Sequence, residues 1–72
     1  MNCIQKYRKK AGLLQAEMAA EMDMTQGAIS HYELGTRTPD IAICNRMLEV
    51  IRAHGVDCTL DELFPATEWL AA

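Results

Sequence analysis

The segment "GLLQAEMAAEMDMTQGAIS", Gly12 to Ser30, constrains this chain more than any other. Two helical patterns flank Asp23-Met24. Met18, Ala19 and Met22 form the inward face of the first, and Ala28, Ile29 and Tyr32 that of the second. A turn of two or three residues between helices this short implies a steep crossing, a helix-turn-helix.

Punctuation divides the rest of the chain into three more helices. The first runs from about Cys3 to Ala11, with Asn2 as N-cap, Gly12 as stop, and Ile4, Tyr7, Arg8 and Ala11 on one face. The second begins at Gln15 behind a weak cap, Leu14, helped by Glu17 at N3 and by a staple of Leu13 on Met18. The third begins after Thr25 and ends at Gly35. The fourth spans about Asp40 to His54, between Pro39 and Gly55, and buries Ile43, Met47, Val50 and Ile51. The fifth is short: Thr59 and Glu62 form a capping box, and Pro65 stops the helix. The expected fold is therefore all-α, with five helices around one small core. Residues 1–65 form the domain and residues 66–72 a C-terminal tail.

Composition narrows the function classes. The chain has 72 residues, enough for one domain, and half of them are hydrophobic, which argues against disorder. Cys3, Cys44 and Cys58 form no CxxC pair, and only His31 and His54 could join them, so neither a metal site nor a disulfide framework is expected. Met18, Met22, Met24 and Met47 read as core filler rather than soft-metal ligands. No phosphate-binding loop or nucleophile motif is present, so the chain reads as no enzyme and implies no cofactor. With no secretory signal or membrane-length apolar run, a soluble cytoplasmic protein is expected.

The net charge is −3, from seven Lys+Arg against ten Asp+Glu. It is unevenly placed: residues 1–40 hold five of each sign, and residues 41–72 hold two basic and five acidic side chains. Lys6, Arg8, Lys9 and Lys10 cluster near the start. A local patch, more than the total, decides where a polyanion docks.

The third helix separates cleanly by angle. With Gln26 at 0° and about 100° per residue, Ala28, Tyr32 and Ile29 fall near 200°, 240° and 300°, while Gln26, Ser30, Leu34, Gly27 and His31 fall between about 0° and 140°. The outer arc carries groups suited to a DNA groove: Gln bonds adenine bidentately, Ser gives or accepts, His donates to guanine or phosphate, and Gly27 lets a backbone approach. On composition alone, a plain solvated face is the more ordinary reading, because polar arcs are common.

Several motifs in fixed order now bear on that choice. They are Arg8 four residues before Gly12, "GLLQAEMA" at 12–19, "MTQGAIS" at 24–30, "YELG" at 32–35, "RTP" at 37–39 and "LDELF" at 60–64. Across about four-fifths of the chain this pattern resembles the phage-repressor/Cro family, the lambda-repressor-like or xenobiotic-response-element helix-turn-helix proteins. The resemblance implies a DNA-binding domain in which Gln15 meets a phosphate and braces the first side chain of the recognition helix, here Gln26. Gly27, Ser30 and His31 take the other base-facing positions. Thr25 is both cap and phosphate neighbour, and Arg37 lies where the family contacts the DNA backbone. Arg8 and Glu33 match a paired Arg and Glu, a partly buried ion pair that makes Glu33 structural. Departures are Asp23 for the usual turn glycine, Leu14 for Ser or Thr, Leu34 for a polar residue and Gly27 for a longer side chain.

The implied function is a sequence-specific transcriptional regulator of phage or prophage repressor type, binding a palindromic double-stranded operator as a homodimer. Leu60, Leu63, Phe64, Trp69 and Leu70 are the candidates for the dimer contact. Trp69 and Leu70 could equally fold back on the core. The alternative is an antitoxin-type protein that binds a toxin partner and autoregulates its operon, its acidic second half (Asp57, Asp61, Glu62 and Glu68) serving a basic partner.

Overall fold

The computed structural model describes residues 2–65. They form five helices and, among the described residues, no strand: α1 (Ile4–Lys10), α2 (Gln15–Glu21), α3 (Gln26–Leu34), α4 (Ile41–Ala53) and α5 (Leu60–Leu63). The all-α, five-helix expectation holds. Trp69, Leu70 and the rest of the tail expected at 66–72 lie outside the described residues.

The caps show why the helices start where they do. Thr25, Asp40 and Thr59 each accept a backbone N–H from three residues ahead, Ala28, Ile43 and Glu62 respectively. Glu62 completes the box by accepting from Thr59 N–H at 3.0 Å. Leu14 has no acceptor to offer α2, and Glu17 substitutes for it by reaching back to Leu14 N–H at 2.8 Å. At α1 the cap position belongs to Cys3, one residue beyond the expected Asn2. Asn2 nevertheless serves the helix start: its Oδ1 accepts from Ile4 N–H at 3.1 Å, while its Nδ2 donates to Tyr32 carbonyl at 2.7 Å and ties α1 to α3.

The core is one cluster drawn from every helix. Ile4, Met18, Ile29, Tyr32, Met47, Ile51 and Leu63 are its most deeply buried members. Cys44, which periodicity in α4 overlooked, is also buried, its Sγ 3.8 Å from Pro39 carbonyl. Leu13 and Met18, the expected staple pair, both lie in this cluster. The ends of the described chain meet where Cys3 N–H donates to Leu63 carbonyl at 2.9 Å.

Burial bears on the dimer candidates. Leu63 is 0% exposed and Phe64 8%. Both side chains pack in the chain's own core. Leu60 is half-buried and stays at the rim.

Candidate nucleic-acid interface

The site is built on the crossing of α2 and α3, the most intimate helix pair in the molecule. Ala19 is 3% exposed, and its carbonyl accepts Met24 N–H at 2.9 Å as the chain reverses. Asp23 makes the reversal with φ of 55°, the one non-glycine residue with positive φ among those described. Asp tolerates that left-handed region better than most residues, so the turn forms without the glycine usual there.

α3 then divides as its sequence implies. Ile29 and Tyr32 are buried and Ala28 half-buried, while Gln26, Gly27, His31 and Leu34 are exposed and Ser30 half-exposed. Gly35 closes the helix in the left-handed region, φ 78°, and Thr36 N–H folds back to His31 carbonyl at 3.1 Å. This return places Arg37 beside α3: its N–H reaches the same carbonyl at 3.3 Å, and its guanidinium lies 5.7 Å from the Tyr32 ring centroid. Thr36 was not singled out in the sequence, yet its Oγ1 sits 2.9 Å from His31 Nδ1 and holds the imidazole with Nε2 left over. The available signal was its position immediately after the C-terminal glycine.

Beneath the exposed face runs a chain of polar contacts. Arg8 Nε donates to Glu33 Oε2 at 2.6 Å and its Nη2 to Oε1 at 3.3 Å, with side-chain exposures of 8% and 5%. Arg8 Nη1 also donates to Leu13 carbonyl at 2.8 Å, just ahead of α2. One ion pair thus pins α1, the start of α2 and α3 together. Gln15 Nε2 donates to Glu33 Oε1 at 3.1 Å, and Gln26 Nε2 donates to Gln15 Oε1 at 3.3 Å. Two pairs expected separately, Arg8 with Glu33 and Gln15 with Gln26, therefore form a single line, from the buried Arg8 to the exposed Gln26. No buried side-chain N or O among the described residues lacks a partner.

Gly27 has no structural necessity. A Cβ built there meets only Thr25 Oγ1, at 3.9 Å, and its φ is not positive. Thr25 itself is exposed at the N-terminus of α3 with its hydroxyl committed to the cap.

These features are shared with known proteins at the level of family. A family model described as helix-turn-helix matches residues 4–55, more than two thirds of the 72. The chain belongs to this helix-turn-helix family, of the Cro/C1 type. Its members are DNA-binding transcription regulators, and in that general sense so is this chain. The match covers α1 to α4 and ends at Gly55, ahead of α5. Comparison with the curated proteins and with the solved structures finds no significant match. Among the described residues, no helix is long and apolar enough to cross a membrane.

Proposed function

We propose that this domain is a sequence-specific repressor of phage or prophage type that binds a palindromic operator as a homodimer, with α3 in the major groove. The observation that carries the reading is the Gln15–Gln26 contact at 3.3 Å, which holds an exposed amide in one orientation at the start of α3. An amide so held presents a donor and an acceptor to adenine N7 and N6. Ser30 and His31 follow along the same face, and Gly27 leaves space for close approach. Thr25, Gln15 and Arg37 serve the flanking phosphates, Arg37 with its guanidinium braced on Tyr32. Contacts of this second kind position the protein, and the first kind reads sequence.

A helix of nine residues reaches few base pairs, so two copies are needed, with recognition helices about 34 Å apart on the operator. With Leu63 and Phe64 taken by the core, the dimer contact falls to Leu60, Trp69 and Leu70. The antitoxin-type alternative draws on the acidic second half. Glu62 is committed there to the capping box of α5, Asp57 and Asp61 are exposed, and Glu68 lies outside the described residues.

Selection from a randomised duplex library, followed by footprinting, tests the reading. Gln26→Ala lowers discrimination by about 1–3 kcal/mol at one base pair of each half-site. Arg37→Ala weakens all sequences alike and reduces the salt slope by about one. A library that yields no enriched sequence, or a footprint without two-fold symmetry, overturns it.

A further inference from the structure

We infer that Glu33 is a positioning residue for base recognition: through Gln15 it dictates which atom of the Gln26 amide faces the DNA. This rests on the reading of Gln26 as a base-contacting residue. A carboxylate only accepts hydrogen bonds, whereas an amide has one accepting and one donating end. Glu33 pairs with the Arg8 guanidinium at 2.6 Å and offers only acceptors, so the end of Gln15 that meets it must be Nε2, as found at 3.1 Å. The other end of Gln15 is then a carbonyl, and it accepts only a donor from Gln26, as found at 3.3 Å. Gln26 is left with one N–H and its carbonyl oxygen. That set matches adenine, whose N7 accepts and whose N6 donates. The buried ion pair therefore fixes the polarity of an exposed amide two links away. Turning the Gln26 amide over would set two carbonyl oxygens against each other, or would require Gln15 to face Glu33 with oxygen.

Glu33→Gln reverses the line at the cost of the weaker contact to Arg8 Nη2, which reaches the same Oε1 as Gln15, at 3.3 Å. The introduced amide keeps its oxygen toward Arg8 Nε, so its NH2 meets Gln15. Gln15 then turns its carbonyl inward and its NH2 toward Gln26, and Gln26 answers with oxygen and points NH2 outward. That arrangement opposes the amino group of adenine and suits a keto oxygen, guanine O6 or thymine O4.

The test pairs library selection with the side-chain amide NMR signals of Gln15 and Gln26, for the full chain and the variants Gln26→Ala, Gln15→Met and Glu33→Gln. Gln26→Ala locates the base pair. Gln15→Met, which leaves the ion pair intact, should lower the preference there on the order of tenfold while flanking positions keep theirs. Glu33→Gln should move the preference at that position from adenine toward a keto base and shift the amide signals of both glutamines. The inference is overturned if Gln15→Met weakens every position in proportion, as loss of a phosphate contact alone would. It is also overturned if folded Glu33→Gln leaves the Gln26 amide signals in place. Should Glu33→Gln not fold, Gln15→Met decides alone. Should the native chain select no sequence, the proposed function fails, and the NMR signals still decide whether Glu33 orients the two amides.

Discussion

Removing one member of the Arg8–Glu33 pair should destabilise this domain far more than removing both. The two side chains are 8% and 5% exposed and 2.6 Å apart, so each is desolvated and relies on the other. Glu33→Ala strands the guanidinium with Leu13 carbonyl as its remaining partner in this cluster. Stranding a buried charge in this way costs about 3–5 kcal/mol. At roughly 0.05–0.15 kcal/mol per residue, a chain of this length has only about 4–11 kcal/mol to lose. The single variant should therefore be largely unfolded at the lower end and severely weakened at the upper. The double variant Arg8→Met, Glu33→Leu removes both charges and refills the volume, a change that is often neutral or stabilising by about 1–4 kcal/mol. It also deprives Leu13 carbonyl and Gln15 Nε2 of partners, about 1–3 kcal/mol for a buried group, so it should lie near the native value. Urea unfolding followed by circular dichroism compares the native chain, the single variants Arg8→Met and Glu33→Leu and the double variant as a cycle, with Glu33→Ala measured beside them. A Glu33→Ala loss below about 1 kcal/mol, the range of an exposed pair, would refute the reasoning, as would a double variant less stable than either single one.

Three further perturbations address the turn, the recognition helix and the buried thiols. Asp23→Val places a β-branched residue at φ 55° and should cost about 1–2 kcal/mol, a fall of about 4–8 °C in Tm per kcal/mol; an unchanged Tm would show that the turn adopts another conformation. Gly27→Ala fills open space in a helix and should stabilise the free protein by about 0.5 kcal/mol while weakening DNA binding, and a gain in both would deny close approach at this position. Burial, reinforced at Cys44 by the charge of Asp40, pushes the Cys44 and Cys58 thiols above the ordinary 9.0, and burial followed by the charge of Glu62 raises the Tyr7 phenol above 10.0. The unfolded chain gives up these protons first, so their contribution is complete below about pH 9 and is lost as pH rises through the folded values. The urea midpoint should be lower at about pH 10 than at about pH 8, and a rising midpoint would contradict it.

How much of this was legible in the sequence depended on whether a residue's role is local. Thr25 and Thr59 announce helix starts because a cap acts within three residues, and both cap as read, whereas Asp40, expected as the start of the fourth helix itself, is the cap that precedes it. Arg8 on an apolar face and Glu33 at the edge of its own were anomalies of periodicity, and burial of the pair accounts for both. The line from Glu33 to Gln26 was only half visible. The Gln15–Gln26 contact was implied by resemblance, but Gln15 to Glu33 depends on how α2 and α3 cross, a distance no pattern of residue types reports. Asn2 reaching Tyr32 carbonyl is of the same kind, a contact across 30 positions. Leu63 and Phe64 read as interface candidates, and their burial in the core was not legible, for a different reason. An apolar side chain on a short terminal helix suits a core and a partner equally, and only its burial separates them.

The net charge of −3 becomes intelligible through the same contacts. Glu17 satisfies Leu14 N–H, Asp40 caps α4, and Glu62 caps α5. Glu33 neutralises Arg8, and Glu21 lies 2.6 Å from His54. Half of the ten acidic residues are thus occupied in starting helices or tying them together. A carboxylate at a helix N-terminus faces backbone N–H groups that carry partial positive charge, so its own field is partly cancelled. Among the contacts of the described residues, Arg8 and Arg52 are the Lys and Arg side chains drawn into comparable internal bonds, Arg52 donating to Cys58 carbonyl at 2.9 Å. Lys6, Lys9, Lys10 and Arg37 remain exposed. The formal count therefore overstates the negative field over the first forty residues, where the two signs already balance. An interface built there needs few phosphate contacts and gains little from long-range attraction. If the domain acts as proposed, affinity has to come from matched base contacts and from pairing two copies, and the amide of Gln26, held by Gln15, is the feature of α3 suited to supply the first.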